Sequence, residues 1–143
     1  PNTILLLIGD GELRPEIEAK VQDYHLSDKV RFLGLRKDVK KLYNCMDVFV
    51  LPSWYEGLPV VSVEAQANGL LSIFSDRVTK ESMLTCSASF LSLDSGSKAW
   101  ASHLFYNYDG RNKDALTELQ SAGFDIKERA KRLFNWYQEG KSL

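Results

Sequence analysis

The stretch Pro52 to Gly69, PSWYEGLPVVSVEAQANG, decides the fold. It follows the apolar run Val48-Phe49-Val50-Leu51, where β-forming residues stand together and stop at a proline. Such a run reads as a buried strand. A polar loop containing Trp54, Tyr55 and Gly57 comes next. Pro59 suits the first position of a helix, where a missing N–H costs nothing. That helix is expected to run through Val60, Val61, Glu64 and Ala67 and to end at Asn68-Gly69. The stretch is therefore strand, loop, helix. Glu56 falls just before the helix and Glu64 inside it, with seven residues between them.

That placement sets the chemistry. A helix N-terminus offers free backbone N–H groups and a partial positive charge, which suit phosphate. Pro59 has no N–H, so the donors would be Gly57, Leu58, Val60 and Val61. Glu64 shares a face with Val60 and Ala67, among largely apolar neighbours. A carboxylate there needs a partner, because burying it alone is costly. A pair of sugar hydroxyls would serve, and so would a lysine or arginine. The same spacing also fits an ordinary core helix with Glu64 at its rim and Glu56 as a loop charge.

Outward from this stretch, strands and helices alternate. Ile4 to Ile8 is a continuous apolar run, the mark of a strand covered on both faces. Gly9 to Glu12 makes a turn, and Pro15 opens a helix to about Tyr24. Val30 to Leu33 is a second strand, and Asp38 can cap a short helix carrying Val39, Leu42 and Tyr43. Leu71 to Phe74 is a fourth strand after Val48 to Leu51. Thr79 to Leu84 reads as one or two helical turns and Ser89 to Leu93 as a short last strand. Helices follow over Ser97 to Tyr108, Lys113 to Ala122, and from an Asp125 cap to about Gln138. This alternation predicts an α/β domain with a Rossmann-like parallel sheet and helices on both faces. Ligands of such sheets sit beyond the carboxyl ends of the strands. The loops there are Gly9 to Glu12, Gly34 to Lys37, Pro52 to Leu58 and Ser75 to Arg77.

Composition narrows the function classes. A chain of 143 residues reads as a single domain, 1–143, large enough for a core. A net charge of −1 gives no electrostatic case for nucleic acid. Cys45 and Cys86 form no metal or redox motif and read as small buried hydrophobes, which fits a reducing, cytoplasmic compartment. No apolar run is long enough to span a bilayer, and Pro1 leads directly into a strand rather than a signal peptide. The chain lacks an initiator methionine, which fits a fragment, though processing also removes that residue.

Other patterns are ambiguous or fail. The turn Gly9-Asp10-Gly11-Glu12-Leu13-Arg14 has Arg14 where a dinucleotide fingerprint needs its third glycine, and Asp10 and Glu12 would repel a pyrophosphate. Arg36 and Lys37 read as solvated charges next to a helix start, and the role of Arg77 after the fourth strand is open. The rings of Trp54 and Tyr55 either stack on a ligand or pack the loop, with packing favoured. His25 and His103 lack a partner motif and read as surface residues. Gly140-Lys141-Ser142 resembles the end of a P-loop but has no upstream glycine. The last helix combines Lys127, Arg129, Lys131 and Arg132 with Phe134, Trp136 and Tyr137. It reads as a packed surface helix, with peripheral contact to an anionic membrane as the other reading.

At these residues the chain resembles a known family. Glu56-Gly57-Leu58-Pro59, then Glu64-Ala65, then Gly69, is similar to the E-x7-E signature of retaining GT-B glycosyltransferases. Within these it resembles the family that includes sucrose synthases and many bacterial polysaccharide transferases. Gly9-Asp10-Gly11 with Leu13, Val30 to Gly34, and Asp47 to Ser53 resemble three further segments of that family. The likeness runs well over residues 1 to 75 and loosely beyond. It implies the C-terminal, donor-binding lobe of a GT-B enzyme, with the N-terminal acceptor lobe outside this chain. It implies a nucleotide-diphosphate sugar donor, UDP-linked, with no cofactor or essential metal; no D-x-D string supports the metal-dependent alternative. The acceptor would be a saccharide or a lipid-linked sugar, met in the cytoplasm or at the inner membrane face.

The resemblance also assigns roles. Glu56 would contact the transferred sugar, Glu64 the ribose, and Gly57, Leu58 and Val60 the diphosphate. Gly11 would let the backbone approach the donor, and Arg36 would lie against the base. The family's arginine and lysine for the diphosphate precede this chain's first strand. A non-catalytic α/β binding module and a nucleotide-sugar epimerase of the same fold are the alternatives. The chain by itself is expected not to transfer sugar and to bind donor weakly. A turnover assay on the isolated 143 residues checks this, and robust transfer would refute it.

Overall fold

The computed structural model describes residues 3–140. Pro1, and Lys141 and Ser142 of the terminal Gly-Lys-Ser string, lie outside the described residues. The chain divides into two compact units, Pro1–Val39 and Lys40–Leu143.

In the first unit, β1 (Leu5–Ile8) and β2 (Val30–Gly34) pair in parallel through the helix α1 (Arg14–Asp23). Pro15 lies in the first turn of α1, as its fixed φ favours. The apolar run of β1 is not covered on both faces: Leu5 is 50% exposed. The reason is local. Among the described residues β1 pairs with β2 alone, and α1 contributes no buried residue to cover it. The turns after the two strands meet where the Gly9 amide donates to the Gly34 carbonyl at 2.9 Å.

The short helix α2 (Val39–Leu42) and a 3-10 turn (Tyr43–Cys45) lead into the second unit. Its strands β3 (Val48–Leu51), β4 (Leu71–Ser75) and β5 (Ala88–Leu91) are all parallel, in the order β3-β4-β5. Every residue of the central strand β4 is buried, while β3 is half-buried throughout. Phe49, Phe74 and Phe90, one from each strand, meet edge to face with centroids 6.4 and 5.7 Å apart. Such ring pairs add to the burial of apolar area that drives the core together.

The helices are α3 (Val60–Ala67), α4 (Gly96–Asn107), α5 (Ala115–Ser121) and α6 (Ile126–Glu139). Asp125 caps α6 by accepting from the amides of Lys127 and Glu128, as its sequence position predicts. The apolar side of α6 is open: Ile126, Leu133, Phe134 and Tyr137 are all exposed. Among the described residues no helix is long and apolar enough to cross a membrane.

α3 begins one residue after the position the sequence suggests and ends where expected. Pro59 stands at the N-cap, and its carbonyl accepts from both the amide and the hydroxyl of Ser62, at 3.0 and 2.7 Å. Gly69 follows the C-cap with φ +72°, and a Cβ there would sit 2.5 Å from the Asn112 carbonyl oxygen. Both facts demand glycine.

The interior anchor of α3 is Gln66, whose side chain is fully buried. Its Nε2 donates to the carbonyls of Ser62 and Ser82, at 3.0 and 2.8 Å. Its Oε1 accepts from the amides of Leu84 and Thr85 and from the Thr85 hydroxyl. One side chain therefore satisfies the irregular backbone between the 3-10 turn Lys80–Ser82 and β5.

Three expectations need correction. Cys45 and Cys86 are exposed rather than buried. Each lies in a turn between elements, where no layer of side chains covers it. Cys86 is nevertheless engaged: its amide and thiol both bond Glu118, at 2.6 and 3.3 Å. That carboxylate raises the thiol's pKa, first through its hydrogen bond, so less thiolate is present at mildly basic pH. His103 is half-buried with a partner, its Nε2 lying 2.9 Å from the Ser89 hydroxyl.

Replacing Gln66 with methionine keeps the volume and orphans the Leu84 and Thr85 amides. It is expected to destabilise the protein by about 3 kcal/mol. Urea unfolding measures this, and a loss below about 1 kcal/mol would contradict the anchoring role. Glu118→Gln is expected to speed alkylation of Cys86 by iodoacetamide severalfold at mildly basic pH. Mass spectrometry reads the rate, with Cys45 as the control; an unchanged Cys86 rate would show that Glu118 does not restrain the thiol.

Candidate functional site

The loops at the carboxyl ends of β3 and β4 are stitched together. Glu56 forms an isolated parallel bridge with Val78, just beyond β4. The Ser75 hydroxyl donates to the Ser53 carbonyl, and the Arg77 amide donates to the Ser75 hydroxyl at 3.2 Å. The Ser53 hydroxyl in turn donates to Glu56 Oε1 at 3.1 Å. The Glu56 carboxylate is thus held at the end of the parallel strands, half-buried, with its second oxygen left for other partners.

The start of α3 is open. Among the described residues the amides of Leu58, Val60 and Val61 donate no hydrogen bond, as expected for a helix's first turn. Leu58, Val60 and Val61 are exposed, and no heavy atom lies within 4 Å of where a Cβ on Gly57 would stand. Trp54 and Tyr55 are 73% and 84% exposed, so their rings do not pack the loop as expected. The loop is pinned instead through Ser53 and Glu56, which frees both aromatic side chains.

Glu64 lies one turn into α3 and is half-buried. Among the described residues no lysine or arginine nitrogen comes within ion-pair distance of it. Its neighbour is the Tyr43 phenol, whose oxygen is 3.4 Å from Glu64 Oε2 and 3.5 Å from the Val61 carbonyl oxygen. Burial, and then the Glu64 charge, push the Tyr43 pKa up to about 12, so the phenol keeps its proton and can only donate to the carboxylate. Sequence reading placed Tyr43 on a short helix and gave it no role. The available signal was that a buried aromatic hydroxyl must find an acceptor.

The remaining predicted residues lie in the first unit. Gly11 has open space around its Cα, and its amide donates to Asp10 Oδ1 at 2.9 Å. Arg14 neutralises that turn, reaching Glu18 at 2.7 Å and Asp10 at 3.4 Å. Arg36 forms a fork with Asp38, both bonds 2.8 Å, which holds its pKa above the usual arginine value. An exposed pair of this kind costs little to break. In the second unit, Arg77 has only loose contacts of 3.8 Å to Asp76 and Asp94. No group of three or more side chains suited to a metal occurs among the described residues.

The arrangement has parallel strands, a helix opening at their carboxyl end and polar groups around that opening, the place where open α/β sheets take their ligands. Residues 1–104 match the family model described as glycosyl transferases group 1. The chain belongs to that family. It is 39% identical over 137 residues to the putative glycosyltransferase EpsF of Bacillus subtilis, covering 93% of this chain and 36% of EpsF. Over 77 residues it is 39% identical to an Escherichia coli enzyme named as a UDP-Gal:α-D-GlcNAc-diphosphoundecaprenol α-1,3-galactosyltransferase, covering 53% of this chain and 20% of that one. The chain therefore spans about a third or less of these relatives' lengths.

Solved structures agree on the fold. The Anabaena protein HepE in complex with UDP matches 97% of this chain and 42% of its own, with TM-score 0.78 and 18% identity. Sucrose-phosphate synthase from Thermosynechococcus elongatus matches 94% of this chain and 38% of its own, with TM-score 0.73 and 24% identity.

Proposed function

We propose that this chain is the donor-binding lobe of a retaining GT-B glycosyltransferase that uses a UDP-linked sugar. The observation that carries the reading is the open first turn of α3, flanked by Glu56 before it and Glu64 within it. Unpaired amides at a helix start complement a diphosphate. A half-buried carboxylate with only a neutral donor at 3.4 Å retains capacity for ribose hydroxyls. The HepE structures with UDP, with UDP and glucose, and with UDP-glucose support a donor of this class.

In this reading Gly57, Leu58 and Val60 hold the diphosphate through backbone N–H groups, and Glu64 accepts from the ribose. Gly11 would let the backbone approach the donor, and Arg36 would lie against its base. Glu56 faces the transferred sugar and stabilises the positive charge that develops as its bond to the phosphate breaks. The leaving phosphate, not Glu56, takes the acceptor's proton. No metal is required. The acceptor is a saccharide or a lipid-linked sugar, as the name of the Escherichia coli relative states for that enzyme. The exposed side of α6 receives the N-terminal lobe of the parent, at the cytoplasmic side of the membrane.

Ligand-observed NMR with UDP, UDP-sugars, GDP-mannose and NAD tests the donor class. Saturable binding of the uridine nucleotides is expected, and their failure to bind in preference to NAD would sink the reading. In the protein as its gene encodes it, Glu56→Gln is expected to lower kcat by about 100-fold or more while donor affinity changes little. Unchanged turnover would remove Glu56 from the mechanism.

A further inference from the structure

We propose that Tyr43 is a positioning residue for Glu64 and that Arg111 fixes the two elements that carry them. The inference rests on the reading of Glu64 as the ribose-binding group. Tyr43 is 2% exposed, and its ring packs edge-on against Phe49 with centroids 6.4 Å apart. A ring so enclosed cannot swing, so its hydroxyl points at one place. That place is the gap between Glu64 Oε2 and the Val61 carbonyl, at 3.4 and 3.5 Å. A protonated phenol there favours one orientation of the carboxylate and engages one of its oxygens. The other oxygen remains for hydroxyls of the ligand.

Arg111 sets the spacing of this pair. It lies between α4 and α5, far from the motif stretch in sequence. One guanidinium nitrogen donates to the Asn68 carbonyl at 2.7 Å, and the other donates to the carbonyls of Tyr43 and Met46 at 2.8 and 2.6 Å. Asn68 is the C-cap of α3, the helix that carries Glu64. Tyr43 is the first residue of the 3-10 turn that carries the phenol, and Met46 is its C-cap. A single planar group thus ties both elements through main-chain carbonyls, and at Asn68 and Met46, the C-caps, a cation is also favoured by the peptide dipoles. The seam continues on either side. The Asn112 backbone N–H donates to the Gly69 carbonyl at 2.9 Å, and the Tyr108 hydroxyl donates to Asp47 at 3.0 Å. A lysine has no planar fork and would not hold three carbonyls in this geometry.

The test compares UDP, 2′,3′-dideoxy-UDP and inorganic pyrophosphate on the protein as its gene encodes it, by calorimetry. The unchanged protein is expected to prefer UDP over its dideoxy form by about tenfold or more. Tyr43→Phe and Arg111→Met are expected to bring that ratio down severalfold while pyrophosphate binding stays as it was. A crystal structure of Tyr43→Phe is expected to show the Glu64 carboxylate rotated or split between rotamers. A purely structural role would weaken all three ligands together and leave the ratio intact. Should Arg111→Met fail to fold, Tyr43→Phe, which removes one oxygen, still carries the test. If Tyr43→Phe keeps both the ratio and the Glu64 rotamer, the proposal is overturned. If Glu64→Gln itself keeps the full ratio, the ribose reading falls. The Tyr43→Phe crystal structure then still decides whether the phenol holds Glu64.

Discussion

The buried primary amide of Gln66 is the constraint on which the rest of the second unit depends. An amide with no access to water must find partners for both its ends, and the loss of any of them is costly. Gln66 finds them in its own helix, at Ser62, and in the backbone from Ser82 to Thr85. α3 cannot rotate about its axis without breaking that set. Since Glu64 lies two residues earlier on the same helix, its direction follows from where Gln66 is bound. The same holds for the open first turn, because Ser62 both accepts from Gln66 and donates to Pro59. Interior hydrogen bonding thereby fixes a surface arrangement.

The ends of α3 were legible in sequence because they depend on residues with few options. Pro59 cannot donate, and Gly69 alone tolerates a positive φ against the Asn112 backbone. Strands β3, β4 and β5 were legible for a similar reason: short apolar runs bounded by turn residues have one common solution in an alternating chain. Burial was less legible. The run Ile4 to Ile8 has the composition of a strand covered twice, yet cover depends on what packs there, and α1 supplies no buried side chain. Cys45 and Cys86 failed as core predictions on the same ground, since small apolar character does not say whether a turn is roofed.

The polar framework of the site was the hardest part to read. Among the described residues the hydrogen bonds of Arg111 all go to main-chain carbonyls, so no complementary side chain in the sequence points to it. Ser53 and Ser75 join two loops through a carbonyl, again without a signature. Glu56 and Glu64 could be picked out because their spacing across a helix start resembles a known signature and because Glu64 falls among apolar neighbours. Their supports could not, because main-chain hydrogen bonding is available to every residue type alike.

A contrast within the molecule bears on why Glu64 reads as a binding group and not a structural one. Glu118 is a carboxylate with its capacity spent: one oxygen accepts from the Cys86 amide, the other from the Cys86 thiol and the Asn112 side chain. Those bonds, the Cys86 amide first, hold its pKa below the usual carboxylate value. They explain its presence without any ligand, since they close the gap between α5 and the turn before β5. Glu64 is also half-buried, yet its carboxylate meets one neutral hydroxyl at 3.4 Å and no cation among the described residues. That contrast leaves most of the Glu64 carboxylate's capacity to accept hydrogen bonds unused among the described residues. In the proposed reading, a half-buried carboxylate held in a fixed direction by buried neighbours is what a site prepared for external hydroxyl groups requires, because the ligand would supply the remaining partners.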